Sequence, residues 1–114
     1  MHLEVIDRTD GVSQVALVGK LDINGLHEVD MKFHGTTASR KQSAIVDLSR
    51  LEYIASLGMG MLISCAQSLQ RKGHRMVLAG ATGNVDMALR TAGIDQAIPM
   101  ATDVDETLRI IGRA

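Results

Sequence analysis

The chain has 114 residues, 46% apolar and 22% charged, with 12 basic against 13 acidic side chains and a formal net charge of −1. That length suits one hydrophobic core, here a single domain over residues 1–114, and the composition argues against disorder. Near-neutral charge and only Phe33 and Tyr53 as aromatics exclude the basic, aromatic-interleaved surface that grips nucleic acid.

No apolar run approaches the roughly 20 residues of a membrane helix, so membrane insertion is not expected. The opening MHLEVIDRTD lacks the basic start and apolar run of a signal peptide. A lone Cys65 allows no intrachain disulfide, which fits a reducing cytoplasm.

LEVID and SQVALVG, rich in β-branched residues and flanking the turn-forming TDG, predict two strands joined as a hairpin. In the following LDINGLHEVDMKFHGTTASRKQ, Ile23, Leu26, Met31 and Phe33 are too irregular for strand alternation and predict a helix. SAIVDLS is a nearly continuous apolar run, the pattern of a central strand buried on both faces. From Leu57 to Lys72 the spacing of Met61, Leu62, Cys65 and Leu69 places them on one helical face, with Gly73 as the stop.

HRMVLAG reads as a further strand, NVDMALRTAG as a short helix closed by Gly93, and QAIPM as a last strand whose Pro99 favours the sheet edge. DVDETLRIIG is the final helix, with Thr102 and Asp105 in capping-box spacing. The expected order is β-β-α-β-α-β-α-β-α, an α/β fold with a mixed, mostly parallel sheet and about four helices. Sites in such folds lie at the carboxyl ends of the strands, and Ser56 lies just beyond one.

Ser56 admits two readings. Its hydroxyl suits a helix N-cap, accepting from free backbone N–H groups. The same geometry suits a modified serine, because a phosphate there meets the positive end of the helix while presenting about −1.5 to −2 charges to any docked partner. Gly58 and Gly60 remove side chains either for a close-approaching partner or for tight helix–sheet packing. Leu57, Met59 and Ile63 lie off the core stripe, so the first turns look apolar nearly all round, through a partner face or through core filling by Met.

Cys65 sits on an apolar stripe with no histidine nearby in sequence, which reads as a buried structural thiol and not a nucleophile. His27, Asp30 and His34 share a helical face that reads as solvated, and no metal site is assigned to it. GMG at 58–60 is too short for a phosphate-binding loop, no cofactor is implied, and nothing points to an enzyme.

Taken in order, GKLD at 19–22, IVDLSRLEYIASLGMGML at 45–62, QRKGHRMVLAG and ALRTAGID resemble the STAS domain, specifically the bacterial anti-sigma factor antagonists. The resemblance implies a regulatory module that binds an anti-sigma factor with serine kinase activity, is phosphorylated by it at the matching serine, Ser56, and is reset by a phosphatase. Asp22 matches the family's Asp after the second strand, and Gly58 and Gly60 its two glycines. With Ala55, Leu57, Met59 and Ile63 these form the expected partner-binding set. Ala55 stands where the family usually has Asp, and Leu57 where it usually has Ser or Thr. Those departures point to the alternative, a STAS scaffold or transporter-accessory module not governed by phosphate.

Overall fold

The computed structural model describes residues 1–112. Its elements run β1 (His2–Ile6), β2 (Ser13–Leu21), α1 (Ile23–Thr36), β3 (Ala44–Asp47), β4 (Leu51–Ile54), α2 (Ser56–Arg71), β5 (Met76–Ala79), α3 (Gly83–Thr91), α4 (Ile94–Ala97), β6 (Met100–Ala101) and α5 (Val104–Ile111). The sheet order is β1-β2-β3-β5-β6; only β1 and β2 pair antiparallel, and β4 pairs with β2 outside this path.

The long β2 serves two neighbours in succession. Ser13–Ala16 lie parallel to β3 and Gly19–Leu21 parallel to β4, with a register shift between Gly19 and Lys20 that passes over Glu52 of β4. Gly19 adopts φ +104°, which an L side chain rarely tolerates, so the bulge falls where glycine stands. The hairpin, the central β3 and the helical face of Met61, Leu62, Cys65 and Leu69 match expectation, all four of those side chains being buried.

Alternation along the strands divides the core. Ala44, Val46 and Leu78 join the main cluster with Val29, Phe33 and the inner face of α2, while Ile45 and Ala79 belong to a smaller cluster closed by Val104, Leu108 and Ile111 of α5. Both faces of the central strands are therefore covered, which is why SAIVDLS is apolar almost throughout.

Four expectations need correction. β4 and α4 are additional elements, so the order is β-β-α-β-β-α-β-α-α-β-α with five helices. The stretch expected as the strand QAIPM begins as the end of helix α4 (Gln96 and Ala97), and pairing begins only at Met100; Pro99 still lies at the sheet edge, its carbonyl accepting from Leu78 N–H at 3.0 Å. The final capping box is displaced by one residue: Asp103 is the N-cap, accepting from Glu106 N–H at 2.8 Å, while the Glu106 carboxylate accepts from Thr102 N–H at 3.3 Å. Finally, Ala55 and not Ser56 caps α2, as described next.

Candidate functional site

β2 and β4 end side by side. Leu21 pairs with Ile54, and Ala55 N–H donates to the Leu21 carbonyl at 2.9 Å, so Asp22 and Ala55 stand at the same sheet end, each opening a helix. Asp22 is a capping residue: its Oδ1 accepts from Gly25 N–H at 2.8 Å. A side chain on Gly25 would strike the Lys20 carbonyl oxygen, which accounts for glycine inside the first turn of α1.

The N-cap of α2 is Ala55, extended at φ −90° and ψ 164°, and no side chain caps the helix. Ser56 is the first helical residue, exposed, and its hydroxyl makes no hydrogen bond to any described residue. The N-cap reading of Ser56 is thus displaced by one position. The first intrahelical bond runs from Met59 N–H to the Ala55 carbonyl, at 3.1 Å, leaving the N–H groups of Ser56, Leu57 and Gly58 without helical acceptors. An exposed hydroxyl therefore stands at a helix mouth whose free N–H groups and dipole favour negative charge.

The two glycines have different reasons. Gly58 is buried, and a Cβ there would lie 2.8 Å from Leu21 Cγ and Cδ2 and 3.3 Å from Ile54 Cγ1. It belongs to the helix–sheet seam, the packing reading of the two that the sequence left open for it. Gly60 is exposed, with nothing within 4 Å of its would-be Cβ. Four residues after Ser56, it shares that serine's face, so the surface beneath the hydroxyl is bare.

Leu57 is 56% exposed, whereas Met59 and Ile63 are half-buried against the main core. Two large side chains outside the sequence-based set are also exposed on the elements that meet here: Ile23, 56% exposed and next in sequence to Asp22, and Tyr53, 47% exposed in β4. The available signal was a large apolar residue adjoining each landmark; without β4 in view, Tyr53 had no assigned face.

The residues weighed for metal or nucleophilic chemistry lie elsewhere. His34 Nδ1 lies 3.3 Å from Cys65 Sγ, and His34 Nε2 lies 3.2 Å from Asp30 Oδ1. Sequence distance hid this histidine from Cys65. The thiol is nonetheless wholly buried, and burial pushes its pKa up to about 11, with the Thr37 hydroxyl opposing and the Asp30 charge adding to the rise. A protonated, enclosed thiol packs and hydrogen-bonds; it is not poised for attack. His27 is exposed, and among the described residues no group of His, Cys, Asp and Glu side chains converges at metal-ligand geometry. Among them, too, no helix is long and apolar enough to cross a membrane.

The family model described as "Mlab, STAS domain" matches residues 5–104. No curated protein matches the chain. Its fold is similar to that of a proposed anti-sigma factor antagonist of Thermotoga maritima, with 17% identity, TM-score 0.86 and coverage of 97% of this chain and 95% of that one. It is similar to an anti-sigma factor antagonist of Mycobacterium paratuberculosis, with 21% identity, TM-score 0.82 and coverage of 96% and 94%. The antagonist SpoIIAA in its unphosphorylated form matches at 19% identity and TM-score 0.78, over 97% of each chain. The phosphorylated form of SpoIIAA, from Bacillus, matches at 18% identity and TM-score 0.66, over 96% of this chain and 99% of that one. At these identities the likeness establishes a shared fold.

Proposed function

The chain belongs to the STAS domain family, and from that premise we propose that it is an anti-sigma factor antagonist, a single cytoplasmic domain controlled by reversible phosphorylation at Ser56. Its partner is an anti-sigma factor with serine kinase activity, and a phosphatase restores the unmodified form. The observation that carries this reading is the exposed, unbonded Ser56 hydroxyl at the first turn of α2, above the bare face at Gly60. SpoIIAA, whose fold is similar, exists in phosphorylated and unphosphorylated forms, which supports the same reading here.

The fold tolerates both states of the proposed switch. A phosphate on Ser56 faces the unpaired N–H groups of the first turn, an interaction worth about 0.3–1 kcal/mol when exposed. A docked partner feels the modification differently, since it must accommodate or desolvate roughly −1.5 to −2 added charges. The proposed contact surface comprises Leu57, Gly60 and the exposed edges of Asp22, Ala55, Met59 and Ile63, extended by Ile23 and Tyr53. Gly58 shapes that surface from beneath. Ala55 in place of the usual Asp leaves the hydroxyl without an acidic neighbour at the cap, so kinase recognition rests on the turn's shape and the apolar Leu57.

The test is phosphotransfer. Incubating the chain with ATP and each kinase-type anti-sigma factor of its own cell, followed by mass-spectrometric mapping, is expected to place one phosphate on Ser56 and none on a Ser56→Ala variant. An anti-sigma factor that binds the chain tightly yet leaves Ser56 unmodified would contradict the proposal and return the phosphate-independent scaffold role.

A further inference from the structure

At the opposite end of α2 from Ser56, a cleft of about 450 Å³ opens between the last turns of that helix, the segment leading into β5, and α4. Its apolar lining comes from Ala66, Met76, Ala97 and Pro99, and its polar groups from Gln70, His74, Arg75, Asp95 and Gln96. We propose that this cleft binds a small amphipathic carboxylate, with Arg75 holding the carboxylate and the apolar lining holding the body of the molecule.

The charge arrangement selects an anion. Among the described residues no carboxylate lies within ion-pair distance of Arg75, so its guanidinium offers its full fork of donors. The one acidic side chain in the cleft, Asp95, is already engaged: its Oδ2 lies 3.9 Å from Arg90 Nη1 and accepts from Gln96 Nε2 at 3.5 Å.

The backbone beneath the two basic residues is held on several sides. Arg75 N–H donates to Ser43 Oγ at 3.0 Å, and the Arg75 carbonyl accepts from Ala44 N–H at 2.8 Å. His74 N–H donates to the Leu69 carbonyl at 3.0 Å, closing the end of α2. A guanidinium on so fixed a base loses little backbone freedom on binding. The lining mixes polar groups with the apolar surfaces of Ala66, Ala97 and Pro99, which suits an amphipathic anion better than a bare inorganic one, and Gln70 and Gln96 add neutral hydrogen-bonding groups. Ala66 and Gln70 lie ~15–21 Å along α2 from Ser56, so occupancy leaves the first turn of that helix free.

Amide chemical-shift titration with benzoate as the probe tests the site, with benzamide as the uncharged control and inorganic phosphate as the bare anion. Benzoate is expected to give saturable shifts at Gln70, His74, Arg75 and Gln96, with a Kd of order 1 mM for so small a molecule. Benzamide, and benzoate with an Arg75→Gln variant, are expected to bind at least about tenfold more weakly because a charge-assisted bidentate contact is lost, and phosphate is expected to bind more weakly because it has no apolar body to fill the cleft. An Arg75→Lys variant recovers part of the affinity and guards against a merely structural effect. Shifts that fail to saturate, that fall outside the cleft, or that are equal for benzoate and benzamide overturn the proposal.

Discussion

Replacing Gly58 and Gly60 separately by alanine probes the seam beneath the proposed switch, since the same substitution two residues apart on one helix meets opposite surroundings. Both exchanges gain helix propensity, about 1 kcal/mol per residue. At Gly60 nothing lies within 4 Å of the new methyl, so the gain stands, and Gly60→Ala is expected to stabilise the fold by about 0.5–1 kcal/mol. At Gly58 the methyl would sit 2.8 Å from Leu21 Cγ and Cδ2, against an ordinary carbon–carbon contact of ~3.5–4.0 Å. Leu21 is wholly buried and its Cγ is not a free chain end, so relief requires moving α2 or the sheet. Overpacking of this kind costs roughly 1–3 kcal/mol, which outweighs the propensity gain. The two variants should therefore differ by about 2 kcal/mol, or roughly 8 °C in Tm for a domain of this size. Urea unfolding with a common m-value provides the free energies. Equal stability of the two variants would refute the assignment of Gly58 to the helix–sheet seam.

Ala55 holds an N-cap with suitable backbone angles and no capping side chain, so Ala55→Ser should raise stability by about 1 kcal/mol in thermal unfolding; an unchanged Tm would place the cap elsewhere. Gly25→Ala drives a methyl against the Lys20 carbonyl at the start of α1, and should lower stability by more than Gly58→Ala does, by roughly 3 kcal/mol or beyond, in the same urea assay. The Cys65 pKa rises from 9.0 to about 11 through burial, so the native state keeps a proton that the unfolded chain gives up. Its contribution is complete below about pH 9 and is lost as pH climbs toward 11, at a rate approaching ~1.4 kcal/mol per pH unit. The stability difference between the native sequence and Cys65→Ala should therefore narrow over that window, and a constant difference would contradict a buried, protonated thiol.

Much of the fold was legible because burial leaves a period in the sequence. The doubly covered SAIVDLS carries a nearly continuous apolar run, and α2 repeats its core residues at helical spacing. β4 escaped because it is only four residues long and its burial runs inside, outside, outside, inside from Leu51 to Ile54, which is neither strand alternation nor a continuous apolar run. Its partner is Gly19–Leu21 of β2, far away in sequence, a long-range pairing with no local signature. The four-residue α4 is likewise below the length at which helical period can be read. The caps of α2 and α5 were each missed by one residue, because capping depends on where the backbone turns: at α5 the neighbours Thr102 and Asp103 are both good capping types, and at α2 the cap falls on Ala55, which carries no capping group. The contact of His34 with Cys65 joins residues on different helices, and sequence spacing carries no trace of it. At the candidate site, exposure of Ser56 and Leu57 was readable as position, but the split between a packed Gly58 and an open Gly60 required the atoms around them.

The central claim is that charge on one exposed hydroxyl controls docking without disturbing the fold. Its most direct test is the affinity of one kinase-type anti-sigma factor for the chain before and after stoichiometric phosphorylation at Ser56, measured by titration calorimetry alongside the Tm of each form. The account predicts at least a hundredfold weaker binding by the phosphorylated form, about 3 kcal/mol, with Tm values that agree within a few degrees. Equal affinity of the two forms, or weaker binding accompanied by loss of the fold, would contradict it.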